Sequence, residues 1–227
     1  MLIDGNEILR EGVVSILSRH DDIEFVGSAK DEKEALRTLE ASHPDVVLIG
    51  SAIKDISGGE IIREIRERFE GMHCILLTDA KSNNGNFLFE AINAGASGCF
   101  PMMISSEHFI KGIRAVFQGG TLLSPKDTTH ILEQYHKLAI GTKEGNGALS
   151  FREREVVALM AKGLSNKQIA YKLQISTKTV KTHVAHIMKK FKAKNRTEAV
   201  VLAISRGLIA VEMDGALAAN HVHEALS

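Results

Sequence analysis

The sequence predicts an α/β domain followed by a separate all-α domain, on three observations. Short apolar runs alternate with amphipathic segments through the first half, a glycine-rich break follows, and net charge changes sign across the break. The apolar runs at 2–4, 24–29, 45–49, 74–78 and 98–100 are expected strands. Helical patterns fall between them at about 7–18, 31–41, 59–69, 84–94 and 106–118, with Val13, Ile16 and Leu17 on one face and Ile61, Ile62 and Ile65 on another. Continuous apolar strands alternating with helices are buried on both sides, so the sheet is expected to be parallel with helices on both faces. Five such units match a flavodoxin-like, doubly wound five-stranded domain, whose functional residues gather at the carboxyl ends of the strands. Only three residues precede Asp4, which predicts an unusually short first strand or a start further upstream.

The second domain is read from its caps. Ser150 and Glu153 form a capping-box pattern, Val156, Val157, Leu159 and Met160 supply an apolar stripe, and Gly163 stands where a left-handed cap is needed. Ser165 or Asn166 opens a second helix with Ile169, Ala170 and Leu173 inward. Gln174-Ile175-Ser176 is a short turn into a third, with Val180, Val184, Ile187 and Met188 inward. A fourth opens at Arg196-Thr197-Glu198 and ends near Gly207. Before this module, Ser124-Pro125 can open a linking helix, and Gly141-Thr-Lys-Glu-Gly-Asn-Gly147 has little to bury. The expected domains are 1–120, a linker at 121–147, the helical module at 148–210 and a tail at 211–227.

The formal net charge of zero conceals an asymmetry. Residues 1–147 hold 15 Lys+Arg against 22 Asp+Glu, about −7, and residues 148–227 hold 13 against 6, about +7. A basic module suits a polyanion, because each neutralised phosphate releases condensed counterions. Two helices joined by a three- or four-residue turn form a helix-turn-helix, whose second helix enters the DNA major groove by its N-terminal end. The expected DNA-facing residues are Thr177, Lys178, Thr179, Lys181, Thr182, His183, Ala185 and Lys189. Lys181 can donate to guanine O6 or N7 and Thr182 can touch a thymine methyl, whereas Lys178, Lys189, Lys190 and Lys192 suit phosphates. The alternative is a four-helix interaction module with a solvated basic face.

Other chemistries lack support. No apolar run reaches the eighteen or more residues of a membrane span, and no basic-then-apolar leader is present, so a cytoplasmic protein is expected. Cys74 and Cys99 lie in apolar runs and read as buried, reduced thiols. His183 and His186 are three apart, but the other eight histidines lack ligand spacing, so no metal is expected. There is no phosphate-binding glycine loop and no nucleophile triad, so neither enzyme nor cofactor is expected.

Residues 149–209 resemble the LuxR-type helix-turn-helix of the NarL/FixJ response regulators. The likeness rests on Leu149-Ser-Phe-Arg-Glu-Arg-Glu155, Gly163-Leu-Ser-Asn-Lys-Gln-Ile-Ala170, Ser176-Thr-Lys-Thr-Val-Lys-Thr-His183, Lys189-Lys-Phe191, Asn195-Arg-Thr-Glu-Ala199 and Gly207-Leu-Ile209. It implies double-stranded DNA as partner, base contact by Lys181 and Thr182, and a homodimer formed through the fourth helix. Ala185 stands where some relatives are basic. Residues 1–120 resemble the receiver domain of the same regulators through Asp4-Gly-Asn-Glu-Ile-Leu-Arg-Glu-Gly12, Pro44-Asp-Val-Val-Leu-Ile49 and Gly95-Ala-Ser-Gly98.

The receiver chemistry departs from that pattern. Gly50 replaces the phosphoacceptor aspartate, Gly5 replaces one of the acidic pair beside Asp4, and Met102 (or Pro101, one position earlier) replaces the lysine. Asp79 follows Thr78 where a small residue is usual, and Lys54 stands where a proline is. Ser51 and Asp55 are alternative acceptors, each disfavoured by chemistry or position. The residues Asp4, Gly5, Gly50, Thr78, Asp79 and Met102 therefore define a degenerate pocket. It is either a structural remnant or a repurposed site for a regulatory protein or small molecule.

Overall fold

The computed structural model describes residues 1–53, 56–78, 85–124, 127–131, 134 and 149–209. The expected loop residues Lys54, Asp55 and Asp79, the glycine break at 141–147 and the tail at 211–227 lie outside these.

A five-stranded parallel sheet, in the order β2-β1-β3-β4-β5, forms the first lobe. Its strands are β1 (Leu2–Ile3), β2 (Ser28–Ala29), β3 (Val46–Ile49), β4 (His73–Thr78) and β5 (Gly98–Pro101). Helices α1 (Glu7–Leu17), α2 (Glu32–Ser42), α3 (Gly58–Arg68), α4 (Gly85–Ala94) and α5 (Ser106–Phe117) connect and follow them. Two apolar clusters sandwich the sheet. Ile3, Ile49, Cys74 and Leu76 meet Ile61, Ile62 and Ile65 of α3 on one face, while Leu2, Leu48, Ile75 and Leu77 meet Val13 and Leu17 of α1 and Phe109 of α5 on the other. The alternation along each strand assigns successive side chains to opposite faces.

The second strand is shorter than its sequence predicts. The apolar run at 24–29 yields only Ser28–Ala29, paired with the equally short Leu2–Ile3 of β1, while the Gly27 carbonyl, at a residue of φ +150°, accepts from the Leu2 amide at 3.1 Å. Beyond α5 the chain returns to the sheet: the Cys99 amide donates to the Leu122 carbonyl at 2.9 Å, and Leu122 makes a parallel bridge with Gly98.

The second lobe holds α6 (Phe151–Ala161), α7 (Asn166–Leu173), α8 (Thr177–Phe191) and α9 (Arg196–Ser205). Ser150, Ser165 and Ser176 cap α6, α7 and α8, the first two within complete capping boxes. Asn195 caps α9 by accepting from the Glu198 amide, a cap the sequence reading did not name. Gln174 adopts φ +52° at the end of α7, which lets a very short turn redirect the chain into α8. Val156, Val157, Met160, Ile169, Val180, Ile187 and Phe191 form the buried core of this lobe.

Candidate functional site

Helix α8 runs for 15 residues, roughly 22 Å at 1.5 Å per residue. Thr177, Lys178, Thr179, Lys181, Thr182, Ala185 and Lys189 are all exposed, and His183 is half-buried. The inward positions are filled by Val180 and Ile187, so the cationic row is fixed on the solvent side by the packing of its own helix. Local bonds order the first turns. The Ser176 and Thr179 hydroxyls lie 2.8 Å apart, and Thr182 Oγ1 donates to the Lys178 carbonyl at 3.1 Å, which commits its hydroxyl to the backbone. His186 is exposed, and among the described residues no three His, Cys, Asp or Glu side chains gather as a metal site.

Two interactions hold α8 against the rest of the lobe. Arg152 Nη2 donates to the Leu173 carbonyl at 2.7 Å and ties the start of α6 to the turn before α8. Lys190 Nζ donates to Glu153 Oε2 at 2.6 Å, and the same carboxylate oxygen accepts from the Ser150 amide at 2.7 Å. Burial pushes the Glu153 carboxyl upward, but the Lys190 ammonium and the Ser150 amide outweigh it and hold it below its ordinary value. Lys190, expected on sequence to meet phosphate, is thus paired with a carboxylate of its own lobe while staying exposed, and its partner Glu153 carries a signal only as a helix cap. The exposed Lys167, Tyr171 and Lys172 on α7 were passed over in the sequence, because nothing in their spacing separates them from a solvated face.

In the first lobe, Asp4, Gly50, Thr78 and Met102 come together at the carboxyl ends of β1, β3, β4 and β5. Asp4 is fully buried; its Oδ1 accepts from the Asn6 amide at 2.6 Å and its Oδ2 from the Ala52 amide at 3.4 Å. The Gly5 amide donates to the Ala52 carbonyl at 2.6 Å. Thr78 Oγ1 donates to the Phe100 carbonyl at 3.2 Å, and Met102 is exposed, its amide donating to the Thr78 carbonyl at 2.7 Å. Asp4 and Gly5 after β1 therefore pair with both main-chain polar groups of Ala52 after β3. Cys74 and Cys99 are buried, and burial pushes the Cys74 thiol up to about 12, which leaves it protonated and unreactive.

A third set of contacts joins the lobes. Asn195 Nδ2 donates to the Ile92 carbonyl at 3.1 Å, Thr197 Oγ1 to the Ser97 carbonyl at 2.8 Å, and Lys194 Nζ to the Asn93 carbonyl at 2.9 Å. Val201 of α9 belongs to the apolar cluster of the first lobe. Arg196 donates to Thr121 Oγ1, Asn166 Oδ1 and the Leu164 carbonyl at 3.2, 2.8 and 2.6 Å, and burial pulls its guanidinium down to about 10. It remains charged at neutral pH, held by three uncharged acceptors.

These features define a two-lobed protein, a parallel α/β lobe docked on a helix-turn-helix lobe. Comparison with known families agrees lobe by lobe. The response regulator receiver domain matches residues 1–114, and the luxR family of bacterial regulatory proteins matches residues 147–203. The oxygen regulatory protein NreC of Staphylococcus carnosus is 32% identical over 214 residues, covering 92% of this chain and 98% of its own. The DNA-binding transcriptional activator DevR/DosR of Mycobacterium tuberculosis is 30% identical over 202 residues, covering 89% and 92%. A structure of the Salmonella typhimurium response regulator RcsB aligns over 90% of this chain and 97% of its own, with TM-score 0.53 and 22% identity, a likeness of fold. The chain belongs to the LuxR-type response-regulator transcription factors, the NarL group. No helix among the described residues is long and apolar enough to cross a membrane.

Proposed function

We propose that this protein is a sequence-specific DNA-binding transcription regulator that works without aspartyl phosphorylation. The observation that carries the first half is the exposed row Thr177, Lys178, Lys181, Thr182, Ala185 and Lys189 on α8, the second helix of a helix-turn-helix. In this reading Lys181 and the Thr182 methyl touch base edges, and Thr177, Lys178, Thr179, His183 and Lys189 position the helix on the backbone. Lys167 and Lys172 on α7 join them, because the first helix of the motif crosses the phosphate backbone. The name of the DevR/DosR relative, a DNA-binding transcriptional activator, supports the same partner.

The second half rests on Gly50, which offers no carboxylate to acylate. Asp4, Gly5, Thr78, Asp79 and Met102 are then remnants of a receiver site rather than catalytic groups, and the protein is a regulator rather than an enzyme. The working form is a homodimer paired through α9, with 1–120 as receiver, 121–147 as linker, 148–210 as DNA-binding module and 211–227 as tail. Control falls to protein amount, to a regulatory partner, or to docking of the two lobes. The buried, internally bonded Asp4 counts against a small-molecule pocket.

Genome-wide occupancy of the tagged protein, beside its Lys181→Ala variant, tests the reading. Sharp peaks sharing a two-fold motif, lost in the variant, are the expected result. A folded, abundant protein with no peaks would instead favour an antagonist that sequesters another regulator.

A further inference from the structure

The two glycines at the carboxyl ends of β1 and β3 are coupled by geometry. A Cβ placed on Gly50 would overlap Asp4 Oδ2 outright, lying 2.5 Å from Asp4 Cγ and 2.9 Å from Asp4 Cβ. Because even the Cβ is too close, turning the carboxylate aside does not free enough room. A Cβ placed on Gly5 would overlap the Ala52 carbonyl oxygen, a backbone atom that moves only with its loop. Neither glycine takes a positive φ, so neither is explained by backbone conformation. What both provide is space: Gly50 for the side chain of Asp4, and Gly5 for the main chain of Ala52.

The hydrogen bonds explain why that space is filled. The buried Asp4 carboxylate accepts from the Asn6 and Ala52 amides, and the Gly5 amide donates to the Ala52 carbonyl. Arg10 Nη1 donates to the Asp4 carbonyl at 2.7 Å and fixes the same turn from the helix side. The amide and carbonyl of Ala52, in an exposed part of the loop after β3, are thereby satisfied within the chain, and the buried Asp4 carboxylate, so satisfied, has no reason to open.

We infer that Asp4 is a permanent internal occupant of the pocket, a positioning residue that fills the room left by the missing side chain at position 50 and locks the loops after β1 and β3 together. This rests on the reading that residue 50 supplies no acceptor, and it extends that reading. On its β1–β3 side the pocket is not merely short of an acceptor; the room for that side chain is taken by Asp4. Restoring an aspartate at position 50 does not reopen it, because that side chain and Asp4 compete for one volume.

The competition is measurable in the full-length protein with three variants, Gly50→Asp, Asp4→Gly and the two combined. Gly50→Asp is expected to lower the melting midpoint of the first lobe by about 5 °C or more, as overpacking does. Asp4→Gly also lowers it, by leaving the Asn6 and Ala52 amides unpaired. The combined variant is expected to melt above Gly50→Asp alone, since removing Asp4 vacates the volume the new side chain needs. Losses that simply add would overturn the lock. If Gly50→Asp does not fold, amide exchange of the unaltered protein decides: protection of Gly5, Asn6 and Ala52 comparable to β3 is expected, and exchange at open-loop rates would overturn it. Acetyl phosphate with Mg²⁺ separates the two readings. A mass label on Asp4 would overturn the lock, whereas a label on Ser51 or Asp55 would overturn phosphorylation independence and leave the lock to the melting and exchange results.

Discussion

Lys181 projects from α8 without an ion pair among the described residues, so its charge is free for another molecule. Lys181→Ala is expected to weaken binding to a specific site by about 1–3 kcal/mol, roughly 10- to 200-fold, and to relax preference at one base pair. Lys178→Ala should weaken all sequences alike and lower the salt slope by about one unit. Fluorescence anisotropy over a salt series distinguishes the two; equal slopes for both variants would contradict the division of roles. Lys190 belongs to a different class, because it faces Glu153. The Glu153 carboxyl sits below its ordinary 4.5, so its contribution to stability is complete above that pH and is lost as pH falls through the depressed value. Lys190→Met is expected to flatten that acid limb in thermal melts between about pH 5 and pH 3, while leaving specific DNA contacts to Lys181. An unchanged acid limb would mean that the pair does not stabilise the lobe.

Among the elements, the helix starts were the most legible in sequence. The serine three residues ahead of Glu153 has a local meaning, since the cap bonds form within one turn, and that box is present; Ser165, read as one of two candidate caps beside Asn166, forms a second box with Gln168. Ser176→Ala should cost about 1 kcal/mol, read as a lower unfolding midpoint of the second lobe, because the Thr179 amide loses its acceptor. The isoleucine stripe of α3 was equally legible, and Ile62→Ala is expected to cost about 2–5 kcal/mol by denaturant melting. The strand at 24–29 was overread because its paired length matches that of its partner β1, Leu2–Ile3, which apolar periodicity within the run does not report. The exchange of partners between the loops after β1 and β3 was illegible for a related reason. Residue identity showed that Gly50 lacks a carboxylate, but only the distance between two loops 46 residues apart shows that Asp4 fills the gap.

For the molecule as a whole, the join between lobes had no signature at all. Three of its hydrogen bonds end on the carbonyls of Ile92, Asn93 and Ser97, which every residue has, and a fourth on the Thr121 hydroxyl, which no spacing marks out. The join leaves the cationic row of α8 open to solvent while it buries Thr197 and Val201 of α9. Docking and pairing through α9 therefore compete for the same helix, in the dimer proposed above. Thr197→Val, which deletes one bond without changing volume, is expected to raise the dimer fraction in sedimentation velocity and to tighten binding to a two-fold DNA site. A variant whose dimer fraction equals its parent's would show that the join does not restrain assembly.

The return of the chain at Leu122 sets where the first lobe can be cut. Leu122 caps the outer rim of β5 by accepting from the Cys99 amide and bridging Gly98, and an uncovered strand rim is a template for a neighbouring molecule. A fragment ending at residue 114 bares that rim and should aggregate on concentration. One carried through Ser124 keeps its selvedge and should remain dispersed, which light scattering of the two fragments would distinguish.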